Sequence, residues 1–405
     1  MKKFVYLCGM MLLSLNMMAQ VDLNDRNWDT VLMECFDESA SFWQWDTENF
    51  LNTGNYSWKG YIGSTLAPNG EHEVYQFDNC RINTNDGTMH LVAYYDSTHR
   101  IQRNEYYLPK WMWTEYGGHG YPYSDDLFYF SGAIEYYKKR YVQNEDERKF
   151  LYGYFEIRCK LPKHKGAFPA FWLHSANPNP TDPYYEEIDI FEYSWGLGDP
   201  HGYQWAYSNP NPTYAGDPYL ITTGIYHNLH GQYTYPDADA YARNYPRLPQ
   251  GYGHHDISGW HTYSCEWMPD HVCWYLDGQL VNSYHDIAHI PQHPMRLKTN
   301  YAINGYYGYG GDIWKGPDKM IIDYIKVCQL KWDCNTDETI TCQSDLDGFD
   351  YAVKKTVSIV STINQPIVSS GDKATFRVTD SFEITGPFEV QSGGEFTVIL
   401  QECPN

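Results

Sequence analysis

Residues 187–192 read Glu-Ile-Asp-Ile-Phe-Glu, three acids set among β-branched and aromatic residues. Ile188, Ile190 and Phe191 favour an extended backbone, so the segment is expected to be a strand. In a regular strand Glu187, Asp189 and residue 191 share one face, which leaves Glu192 on the other. One extra residue near Ile190 or Phe191, a β-bulge, returns Glu192 to the face of Glu187 and Asp189, and bulges gather beside active sites. Like charges on one face repel, so a sheet avoids such an arrangement unless the raised proton affinity is useful. A merely solvated acidic face is therefore the weaker reading.

With the bulge, four strand steps set the two glutamate Cα atoms roughly 13 Å apart. Side chains leaning inward from a curved strand then bring the carboxyls to about 5 Å, the separation of a retaining glycosidase.

Around this strand the chain has an all-β texture. Short Val, Ile, Tyr, Phe and Trp runs alternate with Gly, Pro, Asn and Asp clusters, and amphipathic helical patterns are missing. Pro269-Asp270 between two apolar runs, then Asp277-Gly278, predict a hairpin over 266–277 and a following turn. Two long stretches lack strand patterning. Glu105 to Asp126 carries Tyr106, Tyr107, Trp111, Trp113, Tyr116 and Tyr121, and His227 to Asp256 is rich in tyrosine, histidine and proline. Long loops this aromatic are expected to be functional. The chain holds 39 tyrosines and 14 tryptophans, whose faces stack on sugar C–H surfaces while the phenol or indole N–H takes hydroxyls. Most must serve ordinary β packing. Trp111 and Trp113, with Trp172 and Trp195 near the acids, are the expected sugar contacts.

Other chemistries find less support. His254-His255-Asp256 has no third ligand at metal spacing, and no C-x-x-C pair or zinc-like spacing appears. Gly305, Gly308, Gly310 and Gly311 lack phosphate-binding spacing. Neither a G-x-S-x-G elbow nor an H-E-x-x-H run is present. The net charge of −22 repels phosphate backbones, so no nucleic-acid partner is expected.

The pattern around the acids resembles glycoside hydrolase family 16, whose bulged motif is E-x-D-x-x-E. The likeness extends to YGYFEIRCKLPKHKGAFPAFWLHSAN (152–177), HTYSCEWMPDHVCWYLDG (261–278), PMRLKTNYAING (294–305), MIIDYIKVCQ (320–329), and upstream to FDNCRINTNDGTMHLVAYY (77–95) and YFSGAIEYY (129–137). Glu186, where many relatives carry glycine, and Phe168, where tryptophan is common, depart from the pattern. The resemblance implies a concanavalin-like β-jelly-roll sandwich and a retaining endo-β-glycanase. Glu187 would be the nucleophile, Glu192 the acid/base and Asp189 an electrostatic helper. It adds His227 and Asn300 as cleft residues, implies no required cofactor, and brings the expectation of a structural Ca²⁺ far from the cleft. β-1,3-glucan is the first substrate expected. β-galactans of the agar, porphyran or carrageenan type and host poly-lactosamine O-glycans are alternatives. A non-catalytic glycan-binding jelly roll is the rival class.

Met1–Ala19, with Lys2, Lys3 and an apolar run from Phe4 to Met18, reads as a secretory signal. A lipid anchor on Cys8 is disfavoured because no small residues directly precede it. Residues 20–332 are expected to form the jelly roll, 333–346 a linker and 347–405 a small β module in which Phe376, Phe382 and Phe388 recur every six residues before Phe396. Cys334, Cys342 and Cys403 are candidates to staple that module. The expected product is a bacterial protein, secreted, periplasmic or on the cell surface, monomeric, without a membrane span and acting on a polysaccharide.

Overall fold

The computed structural model describes residues 27–36, 45–46, 51–52, 58–60, 63–64, 73–98, 101–102, 126–127, 129–136, 149–162, 164, 166–175, 186–195, 219–227, 259–285, 287, 290–303, 315–362 and 365–404. Trp111, Trp113, the expected signal segment, the His254–Asp256 cluster and the glycines from Gly305 to Gly311 lie outside them. So do most of the two aromatic stretches. Among the described residues no helix is long and apolar enough to cross a membrane.

Two large sheets face each other. One has six strands in the order Tyr219–His227, Glu186–Trp195, Ala167–Ser175, Met295–Ile303, Ala133–Tyr136, Trp58–Gly60, each antiparallel to its neighbours. The other has eleven and is built around Gly153–Lys160 and Asp318–Leu330. Alternation drives the assembly. In Ala167–Ser175, Phe171 and Leu173 turn into the shared core, where both are fully buried, while Trp172 and His174 take the opposite face. Phe171→Ala would cost about 3–5 kcal/mol on removing that packing.

The hairpin expected over 266–277 is present. His261–Trp267 pairs antiparallel with Val272–Leu276, and Asp277 and Gly278, both at positive φ, turn the chain into Gln279–Tyr284. Gly153 is required by space as well as by its φ of 139°, since a Cβ there would stand 2.6 Å from the Cys328 carbonyl oxygen.

The last part of the chain corrects the expected linker over 333–346. Trp332–Ile340 is a strand, followed by the short helix Gln343–Asp347, and it opens a four-stranded parallel sheet with Val353–Ile359, Lys373–Ile384 and Glu395–Leu400. A second parallel pair, Ile367–Val368 with Glu389–Val390, runs alongside. The module therefore winds as a small solenoid. Its six-residue Phe spacing is not the repeat of the winding, because Lys373 lies opposite Glu395 and Ile367 opposite Glu389, far wider steps. The phenylalanines still converge, with Phe376, Phe382, Phe388 and Phe396 in ring contact at 5.1–5.9 Å. Cys334 and Cys403 form a disulfide, and Cys342 stays a free thiol. The solenoid packs on the outside of the eleven-stranded sheet through Val353, Trp28, Tyr275 and Leu330, and Asn27 Nδ2 donates to the Tyr351 carbonyl at 2.6 Å.

Candidate active site

The acid strand Glu186–Trp195 carries one residue more than its neighbours at its centre. Against Ala167–Ser175, His174 pairs with Glu187, Leu173 with Ile188 and Trp172 with Asp189, and then Phe171 pairs with Phe191 and Ala170 with Glu192. Ile190 is unmatched. The same shift appears against Tyr219–His227, where Asp189 opposes Gly224 and Glu192 opposes Thr222. Ile190 and Phe191 consequently both enter the core, 2% and 0% exposed, which a regular strand could not do. Glu187, Asp189 and Glu192 all take the outward face, in register with His174, Trp172 and Ala170. The bulge is held from behind, since Trp274 of the opposite sheet donates its indole N–H to the Asp189 carbonyl oxygen at 2.9 Å.

Asp189 is 3% exposed, and its Oδ2 has no hydrogen-bond partner among the described residues. Burial, followed by the neighbouring Glu192 and Glu187 carboxylates, pushes its proton affinity well above the carboxylate range. Asp189 is thus the buried member of the three and is pressed toward its protonated form.

Its neighbours complete the face. His174 Nε2 lies 4.0 Å from Glu187 Oε2. Burial, then the Lys298 ammonium, depresses His174 well below the usual imidazole range, so it is neutral. Trp172 donates its indole N–H to Asn300 Oδ1 at 2.9 Å, Asn300 Nδ2 donates to the Tyr75 hydroxyl at 2.9 Å, and the Lys298 ammonium lies 4.7 Å from the Trp172 ring centroid. Lys298 and Arg296 both reach the buried Glu135 carboxylate, at 3.7 and 3.4 Å. Trp172 and Asn300 are therefore brought together beside the acids. Trp195 and His227 lie at strand ends, paired with Tyr219 and Glu186 in register, and their side chains lie outside the described part of the structure.

Glu186, a departure from the resembled pattern, faces the other way and serves structure. Its carboxylate is fully buried and accepts the backbone N–H groups of Gln292 and His293 at 3.1 and 2.9 Å. Sequence reasoning missed His174, Lys298 and Tyr75. His174 had a usable signal, two residues beyond Trp172 on the same face of the preceding strand. Tyr75 had none, since only the fold brings it to Asn300.

For Ca²⁺, the described residues offer one converging group of three metal-ligating side chains, Glu266, His271 and Cys273. A thiol and an imidazole do not suit a hard, oxygen-seeking cation.

A mainly antiparallel sandwich whose six-stranded sheet carries a bulged row of acids on its outward face defines a carbohydrate-active jelly roll. Residues 129–207 and 226–326, a little under half of the chain, match the family described as Glycosyl hydrolases family 16, and that region is of this family. It is similar to an endo-1,3-1,4-beta-glycanase of Rhizobium meliloti, 29% identical over 45% of this chain and 31% of the relative. It is also similar to a beta-glucanase of Acetivibrio thermocellus, 30% identical over 52% and 48% respectively. The chain thus spans between about a third and a half of the length of these relatives. Among solved structures it overlaps the catalytic domain of an endo-1,3-beta-glucanase from Thermotoga petrophila at 25% identity and a TM-score of 0.44, over 75% of this chain and 98% of that one.

Proposed function

We propose that the chain is an exported retaining endo-β-glycanase acting on a β-linked polysaccharide, with β-1,3-glucan as the first substrate. The observation that carries this reading is the extra residue Ile190, which brings Glu187, Asp189 and Glu192 to one face. In the proposed reaction Glu187 attacks the anomeric carbon and forms a glycosyl-enzyme while Glu192 protonates the leaving oxygen. Glu192 then takes a proton from the incoming water, whose oxygen releases the sugar. Neutral His174 stands beside the nucleophile Glu187, 4.0 Å away. Asp189, between the two glutamates, shares the proton that keeps Glu192 a competent acid. The reaction runs on carboxylates and calls for no metal. Trp172, held by Asn300 and Tyr75, offers a ring for a sugar face, and Trp111, Trp113, Trp195 and His227 are proposed to line the same cleft.

A β-galactan is the second reading, supported by similarity to a kappa-carrageenase of Pseudoalteromonas carrageenovora over 71% of this chain at 22% identity. Digestion of laminarin, mixed-linkage glucan, agarose, carrageenan and mucin O-glycans, with proton NMR of the first product, tests both. Release of β-anomeric oligosaccharides from laminarin is expected. Cleavage of a galactan or mucin glycan alone replaces the substrate, an initial α anomer removes the double displacement, and binding without cleavage of any polymer makes the chain a glycan-binding jelly roll.

A further inference from the structure

On the outer face of the eleven-stranded sheet, away from the acids, Glu266 and Cys273 lie directly opposite each other in the antiparallel pair His261–Trp267 and Val272–Leu276. Directly opposed residues project their side chains to the same face, about 5 Å apart. Between them the chain reverses at Pro269-Asp270, closed by the Met268 N–H to the His271 carbonyl at 2.8 Å. This turn folds His271 back over the pair. Its Nε2 lies 3.5 Å from Glu266 Oε2, and the carboxylate, imidazole and thiol ligand atoms all fall within 4.8 Å of one another.

We propose that Glu266, His271 and Cys273 bind a zinc-class divalent cation that clamps this hairpin. The donor set is one thiolate, one imidazole and one carboxylate, which selects a borderline metal over Ca²⁺ or Mg²⁺. Ligands around a tetrahedral zinc stand about 3.5 Å apart, so a small contraction closes the group and leaves a fourth position for water. The outer arrangement is also that of a metal-bound histidine. Asp270 Oδ1 holds His271 Nδ1 at 2.9 Å, orienting the ring and directing Nε2 at the other two ligands. Tyr275 donates its hydroxyl to Glu266 Oε2 at 3.3 Å, which holds that carboxylate in place.

Coordination expels the proton of the Cys273 thiol and requires the neutral imidazole of His271, so metal entry releases protons. Cys273 is fully buried and shares a small apolar cluster with Tyr275, Trp28 and Val353, the last from the solenoid. The clamp therefore sits where the two parts of the molecule meet, and none of its ligands belongs to the proposed glycanase chemistry.

Cobalt titration of the reduced full-length protein tests this. One Co²⁺ per chain is expected, with a thiolate-to-cobalt charge-transfer band that Zn²⁺ displaces. Zn²⁺ alone should raise Tm by several degrees. Cys273→Ser should lose the band, and His271→Gln, in the half-buried turn, should weaken Co²⁺ binding at least tenfold and cancel the rise in Tm that Zn²⁺ gives relative to the same variant without metal. Cobalt bound without a thiolate band, a band that survives in Cys273→Ser, unchanged affinity in His271→Gln, or no saturable binding would each overturn the proposal.

Discussion

Lys354 in the solenoid and Asp189 in the six-stranded sheet are both charged side chains drawn out of water, each 3% exposed, and the chain surrounds them in opposite ways. Lys354 is met by Asp333 at 2.8 Å, Asp350 at 3.0 Å and Glu338 at 3.7 Å. Asp189 is met by two further acids, and its Oδ2 has no hydrogen-bond partner among the described residues. A buried charge with opposite partners contributes to holding its surroundings together, whereas one crowded by like charge costs stability and is kept only where another use outweighs the cost. The solenoid follows the rule that governs folding, and the acid strand departs from it at the residue on which the proposed chemistry depends.

The largest test of this contrast is catalytic. Glu187→Gln and Glu192→Gln are each expected to lower kcat/KM by on the order of 10³-fold or more without lowering Tm, measured on whichever polymer the wild type cleaves. A loss of activity matched by a loss of fold would remove the contrast.

Next is the staple of the solenoid. Cys334→Ser opens a closure spanning 69 residues, for which chain entropy predicts a loss of about 4 kcal/mol. Denaturant unfolding followed by Phe and Tyr absorbance should show a module transition that moves down while glycanase activity survives. Lys354→Met should act on the same transition, by about 1–3 kcal/mol, since its carboxylate partners are partly exposed and recover water when it leaves.

Asp189→Asn should move stability the other way. The folded state raises the Asp189 proton affinity, so the stability tied to its protonation is complete below the unfolded value near 3.9 and is lost as pH climbs through the folded one. Asn imitates the protonated acid at every pH. Its advantage in Tm should therefore be near zero around pH 4 and grow toward pH 8, at roughly 2–4 °C for each kcal/mol relieved. Equal Tm values for wild type and variant at pH 8 would mean that water reaches Asp189. In the solenoid, Asp333 is held below its usual range chiefly by its bond to Lys354, so its contribution has the opposite sign and fades on acidification. The smallest effect is kinetic. The alkaline limb of kcat/KM should shift to lower pH in Asp189→Asn, because Glu192 then faces one acid fewer. A limb that stays in place would leave Asp189 a positioning role only.

How much of this could be read from residues alone depended on how local the cause was. Alternation in Glu187–Glu192 is contained within six residues, and the need for a bulge follows from counting along them. The hairpin at Pro269-Asp270 and the turn at Asp277-Gly278 are equally local. Trp332–Ile340 looked like a linker because it is a polar parallel strand whose partner, Val353–Ile359, arrives only after a helix. Nothing within it announces the pairing. Glu186 looked like a departure because its purpose, binding the backbone at Gln292 and His293, lies more than a hundred residues away. His271 and Cys273 showed no metal spacing because the third member of their group comes from the other arm of the hairpin.

The unmatched Ile190 also sets what kinds of change this lineage can survive. Most active sites are eroded by substitution, but here all three acids could be kept and the arrangement still lost by shortening the strand one residue between Asp189 and Glu192. The strand would then pair without interruption, Phe191 would lose its place beside Ile190, and Glu192 would be carried to the side of the sheet that faces the core. For the proposed chemistry, length at this point matters as much as any side chain. A family that varies freely by insertion elsewhere would be expected to vary here by replacement alone.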